Sequence, residues 1–176
     1  MTASSRIRIG ISQCLLGDHV RYDGGHKRDA LLADTLSRQV EWIPVCPEVE
    51  AGLGVPREPM RLEGTAASPR LVTITTGVDR TAAMQQFSAR RLRELERLNL
   101  SGYVFKARSP SCGIGRVPLR SAEGVEAPAG VGLFAQTFMK HFPLIPVEDE
   151  DRLHDPKILK NFLQRASDYC HSRDHV

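Results

Sequence analysis

Apolar positions along the chain come in short runs alternating with longer amphipathic stretches. Residues 6–12, Arg-Ile-Arg-Ile-Gly-Ile-Ser, read as a first strand. Residues 29–39 put Leu31, Leu32 and Leu36 on one helical face, and Trp42-Ile-Pro-Val45 forms a second strand. Pro44 argues for an edge position there, or for an early strand end. Residues 47–70 hold many Gly and Pro and little period, so they read as a loop. Residues 70–75 look like a short strand, half of a small hairpin beside the main sheet. Asp79 to Leu98 is the clearest helix, with Met84, Phe87, Leu92, Leu95 and Leu98 on an inner stripe. A strand over residues 102–106, a loop over 114–130, a helix over 132–141 and a strand over 144–147 follow. Asp155-Pro156 then opens a last helix that runs to about His171, since Pro suits the first helical position.

Strands alternating with helices predict an α/β fold: a three-layer sandwich around a mainly parallel sheet of about four to five strands, with a small β-hairpin as an appendage. The whole of 1–176 reads as one domain. In such sheets ligands sit outside the carboxyl ends of the strands. That rule draws attention to three cysteines. Cys14, Cys46 and Cys112 each follow the carboxyl end of a predicted strand, in loops rich in Gly, Pro or Ser. If those strands share one parallel sheet, the three thiols emerge at one rim.

Charge and composition narrow the function classes. The net charge is +3 and the arginines are dispersed, so a concentrated nucleic-acid-binding stripe is missing. Aromatic residues make up only 6%, which argues against a base-stacking platform. No run approaches the ~20 apolar residues of a membrane helix, and Met1–Arg6 lacks the apolar core of a signal peptide. The expected location is the cytoplasm, where the four cysteines would stay unpaired. No two of them form a C-x-x-C pair, which weakens zinc-ribbon and thioredoxin readings but not a site assembled by tertiary structure. Thiolates suit iron–sulfur clusters and zinc, and flanking glycines let backbone amides approach an anionic cluster. Closed structural sites use four protein ligands, so three leave a coordination position open for a reactant. The competing view of each cysteine is a small apolar core filler. Cys170, in the last helix, is read that way.

Three segments carry a family resemblance: SQCLLGDHVRYDGGHK (12–27), CPEVEAGLGVPREPMRL (46–62) and FKARSPSCG (105–113). They resemble the signatures of the thiouracil desulfidase family, formerly domain of unknown function 523, and the likeness runs from Arg6 to about Tyr169. It implies an oxygen-labile [4Fe–4S] cluster held by Cys14, Cys46 and Cys112, whose fourth iron takes the sulfur leaving a thiolated pyrimidine. It also implies catalytic roles for Glu48 and Ser109, with Ser111 as a second available hydroxyl. Longer relatives with an extra domain act on thiolated tRNA, so the expected substrate here is a free thiouracil, its nucleoside or its nucleotide, with nucleic acid not called for. Ala107 stands where a serine or another small residue is expected, a mild departure.

Around these motifs the residues suggest further contacts. Asp23, His26 and Lys27 in RYDGGHK are positioned to cap a site, and Arg57, Arg61 and Arg108 to bind a phosphate. Each is equally at home on a solvated loop, and His26 is a further conceivable metal ligand. Two alternatives stay open at this level. One is an iron–sulfur carrier or redox sensor without substrate chemistry; the other is a zinc hydrolase with three Cys ligands, disfavoured by the missing C-x-x-C of zinc deaminases. Oligomeric state is not encoded in any visible pattern.

Overall fold

A computed structural model of the chain describes residues 6–173; Met1–Ser5, part of the segment read above as no signal peptide, lie outside it. Strand β1 (Ile7–Ser12) runs into a 3₁₀ turn over Gln13–Leu16. The predicted helix over 29–39 is a π turn (Leu31–Thr35) passing directly into a 3₁₀ turn (Leu36–Arg38), which buries Leu32 and Leu36. Strand β2 (Val40–Val45) leads into the one-turn helix α1 (Pro47–Glu50). A hairpin, β3 (Met60–Gly64) and β4 (Pro69–Thr73), precedes the long helix α2 (Thr81–Arg97) and strand β5 (Gly102–Phe105). Strands β6 (Val117–Arg120) and β7 (Glu126–Gly130), helix α3 (Leu133–His141), strand β8 (Val147–Asp149), the single turn α4 (Glu150–Leu153) and helix α5 (Pro156–Arg173) complete the chain.

The central sheet has the order β2-β1-β5-β8, with every pair parallel. Its faces carry two cores. Ile9, Ile11, Val40 and Val104 pack with Leu32, Leu36, Phe162 and Ala166 on one side. Val45, Tyr103 and Phe105 pack on the other with Met84, Phe87, Leu92 and Leu95 of α2 and Phe134 and Phe138 of α3. Burial on both faces is what parallel strands require, and it explains why β5 is apolar throughout. Gly10 is needed at its place in β1, because a Cβ there would lie 2.2 Å from the Tyr103 ring. Pro44 falls in β2, the edge strand, where a missing N–H is best tolerated.

The second sheet is larger than the predicted hairpin: four strands in the order β4-β3-β6-β7. The segments 47–70 and 114–130, read as loops, supply β3, β6 and β7. The signal was weak for a physical reason. Leu62 alone is fully buried in β3, β7 is Glu-Ala-Pro-Ala-Gly with only Gly130 buried, and β6 shows just Val117 and Leu119 inward around an exposed Pro118. The last strand also lies later than expected, at Val147–Asp149, and Leu144 is exposed.

Register sets what happens at the carboxyl edge of the central sheet. Ser12 stands opposite Val45, Ile11 opposite Val104, and Phe105 opposite Asp149, so all four strands end at nearly one level. Lys106 N–H donates to Ser12 Oγ at 2.9 Å, tying the ends of β5 and β1 together. Glu150, the first residue beyond β8, accepts from Ala107 N–H at 2.6 Å and pairs with the Lys106 ammonium. The side chains of this pair are only 13% and 7% exposed. Helix α3 is docked on the segment after β5. Gly132 N–H donates to Gly113 O (2.7 Å), and the Phe134 and Ala135 N–H groups donate to Ser111 O (3.0 and 3.1 Å).

Two expectations follow. Glu150→Ala strands an ammonium in a nearly dry pocket and should cost about 3–5 kcal/mol, whereas Lys106→Met with Glu150→Leu should recover much of that loss. Urea unfolding of the three variants checks this; equal losses in the single and double variants would contradict it. Gly132→Ala places a Cβ 2.4 Å from the Ser111 carbonyl carbon. It should lower stability by about 1–3 kcal/mol; an unchanged urea midpoint would show that α3 does not press on this loop.

Candidate metal centre and active site

Each strand end delivers one thiol by a different local device. Cys14 sits in the 3₁₀ turn after β1, closed by Gly17 at φ +101°, and its carbonyl accepts the Lys27 N–H at 2.9 Å. Cys46 immediately precedes α1, where Pro47 starts the turn and Glu50 Oε2 accepts the Cys46 N–H at 3.0 Å. Cys112 lies in a tight turn organised by Ser109. The Ser109 Oγ accepts the N–H groups of Ser111 (3.2 Å) and Cys112 (3.1 Å), while its carbonyl accepts that of Gly113 (2.8 Å).

The three thiols line one cavity of about 590 Å³. Around them stand Arg21, Lys27, Glu48, Arg57, Lys106, Arg108, Ser109 and Glu150. Cys46 and Cys112 are buried, Cys14 partly so, and none is in a disulfide. Burial pushes the Cys14 thiol up to about 11, against the opposing pull of the Lys106 charge. Burial likewise raises Cys46, and it raises Cys112 well above the ordinary thiol range despite a hydrogen bond from Ser12. The free chain therefore keeps these thiols protonated near neutrality, and binding a metal centre must displace those protons.

Among the described residues no three His, Cys, Asp or Glu side chains converge closely enough to hold a single metal ion. The three thiols share the wall of one cavity, and thiolate ligands of this kind fit iron–sulfur centres by their chemistry.

The carboxylate of Glu48 faces this cavity on the first turn after Cys46. Its Oε1 accepts the Ser111 hydroxyl at 2.8 Å, and its Oε2 accepts Arg57 Nε–H at 2.8 Å. The two serines of the SPSC motif thus divide the work: Ser109 lines the cavity and builds the turn, while the fully buried Ser111 touches Glu48. Of the remaining residues picked from the sequence, Lys27, Arg57 and Arg108 line the cavity; Asp23, His26 and Arg61 do not. Asp23 accepts the Gly25 N–H at 2.9 Å, His26 accepts that of Arg28 at 3.1 Å and packs edge-on against His19, and Arg61 pairs with Glu63 on β3. Arg108 is exposed and pairs with Asp151.

Sequence reasoning missed Lys106 and Glu150. Lys106 carried a usable signal, a lone cation ending an all-apolar strand. Glu150 sits within Glu-Asp-Glu-Asp and reads there as one more solvated acid.

Comparison with known proteins accords with this geometry. Residues 9–150 match the family model of 2-thiouracil desulfurase. The uncharacterized protein YbbK of Bacillus subtilis (strain 168) is 30% identical over 112 residues, covering 61% of this chain and 74% of that protein. The solved structure of TudS, a [4Fe-4S]-dependent thiouracil desulfidase, superposes with a TM-score of 0.70 at 31% identity, covering 89% of this chain and 99% of that one. The chain belongs to the 2-thiouracil desulfurase family.

Proposed function

We propose that this enzyme converts a thiolated pyrimidine to its oxo form, with Cys14, Cys46 and Cys112 holding a [4Fe–4S] cluster and Glu48 serving the proton chemistry. The observation that carries the reading is the convergence of three thiols, from three ends of one sheet, on a cavity that Glu48 also faces. Its volume falls in the range of roughly 300–1,000 Å³ usual for small-molecule sites. When bound through three thiolates, such a cluster offers an open, thiophilic iron that polarises a thiocarbonyl as a Lewis acid.

The chain's own residues supply the rest. A water oxygen forms the new C–O bond, the C–S bond breaks, and sulfur leaves as hydrosulfide, so no net oxidation is needed. Glu48 accepts a proton from that water as general base. Ser111 donates to Glu48 and holds it toward the cavity. Ser109 lines the cavity wall, which supports a role for it in contacting the pyrimidine. Lys106, fixed by Glu150, stands close enough to Cys14 to bear on its thiol and contributes positive charge beside an anionic centre.

Among the described residues no helix is long and apolar enough to cross a membrane. Four free cysteines suit a reducing compartment, and the cytoplasm is the proposed location.

Chain reconstituted under anaerobic conditions should absorb near ~400 nm, as iron–sulfur centres do, and release sulfide from 2- or 4-thiouracil. Glu48→Gln should keep that absorption while turnover falls by roughly 10²–10⁴-fold. A coloured protein that turns over no thiolated pyrimidine, or a Glu48→Gln variant as fast as the parent, would overturn the reading.

A further inference from the structure

Arg57 invites a reading as a phosphate or substrate ligand, yet four of its five N–H donors are engaged by the chain itself. Nε donates to Glu48 Oε2 at 2.8 Å, Nη1 to Gly54 O at 2.8 Å, and Nη2 to Val20 O at 2.9 Å as well as to the same Glu48 oxygen. Its main-chain N–H donates to Tyr22 O at 2.8 Å. The side chain is 7% exposed and that of Glu48 15%, so the ion pair is largely buried at the cavity wall. Val20 O, one of the three acceptors, also receives the Cys46 thiol at 3.8 Å. The guanidinium therefore joins the acid, the loop after Cys14 and the loop after Cys46 in one network. Only a planar fork with several fixed donors reaches three such acceptors at once; a lysine ammonium on a flexible stem does not.

A count of acceptor positions shows what this network does to Glu48. A carboxylate offers about four lone-pair sites, two on each oxygen. Arg57 takes both on Oε2, and Ser111 takes one on Oε1. One position on Oε1 is left open. We propose that Arg57 is a positioning residue, not a substrate ligand: it fixes the Glu48 carboxylate so that Oε1 alone meets the reactants. The inference rests on the functional reading above for the role of Glu48, and on the hydrogen-bond geometry for the role of Arg57.

The test compares the reconstituted parent chain with Arg57→Gln, Arg57→Lys, Glu48→Gln and the double variant Glu48→Gln with Arg57→Gln. Loss of the clamp misplaces the acid, so both Arg57 variants should lose on the order of 10²-fold in kcat. KM for 2-thiouracil should stay within about twofold, because no ground-state contact is lost. Iron content and visible absorption should match the parent. The double variant should be no slower than Glu48→Gln alone, since the two residues act as one unit. A KM raised about tenfold or more with kcat retained, as a substrate ligand would give, overturns the proposal; so does a double variant slowed by the product of the single effects.

A second readout needs no turnover. In the cluster-free chain, the fall in urea midpoint caused by Arg57→Gln should be clearly smaller in the Glu48→Gln background than in the parent, and equal falls would contradict the clamp. If the parent turns over no thiolated pyrimidine, the functional reading fails, and this cycle alone decides whether Arg57 holds Glu48.

Discussion

Level strand ends are the constraint on which the rest of this molecule depends. Four parallel strands stop within a residue or so of one another at the same sheet edge. The chain leaves that edge through Cys14, Cys46, the Lys106–Cys112 segment and Glu150. A slip of one residue in any pairing would turn that strand's side chains to the opposite face and displace its loop. Both faces of the sheet are packed, on separate cores, so such a slip is strongly opposed. The thiols thus meet without being near in sequence, and no local motif is needed to join them.

Charge at this edge is arranged so that buried groups are compensated. The thiols are protonated in the free chain because burial disfavours their charged form. Deprotonating three of them for a metal centre places negative charge in a confined space. Lys106 supplies a cation whose charge favours the Cys14 thiolate, and Glu150 anchors it. Arg57 is turned instead toward Glu48, so the two most buried cations of the cavity serve different partners. Both line the cavity, each already held by an acid of the chain itself.

Much of this was legible in the sequence, for identifiable reasons. Strands β1, β2 and β5 are short, mostly apolar, β-rich runs and could be read directly, and with them the common rim for Cys14, Cys46 and Cys112, whereas β8, Val-Glu-Asp, carries almost no apolar signal. Helix α2 announced itself by its stripe from Met84 to Leu95. The second sheet did not, because its strands are short, edge-like and half exposed, and their pairing partners lie far along the chain. Within the site, Glu48 was readable from its place two residues after Cys46. The choice between Ser109 and Ser111 was not, since only three-dimensional packing brings Ser111 onto Glu48 across more than sixty residues. Arg57 was readable as a cation near the site, but sequence shows no partners, and most of its donors are engaged by Glu48, Gly54 and Val20.

The claim at the centre of the account is that Cys14, Cys46 and Cys112 together hold one cluster with an open iron. Mössbauer spectroscopy of anaerobically reconstituted, iron-57-loaded protein addresses it directly. About four irons per chain are expected, with about one in four spectroscopically distinct because it lacks a thiolate, and the whole signal should be lost when any one of the three cysteines is replaced by serine. A chain that binds a single metal ion, or one whose cluster survives replacement of Cys14, Cys46 or Cys112, would contradict it.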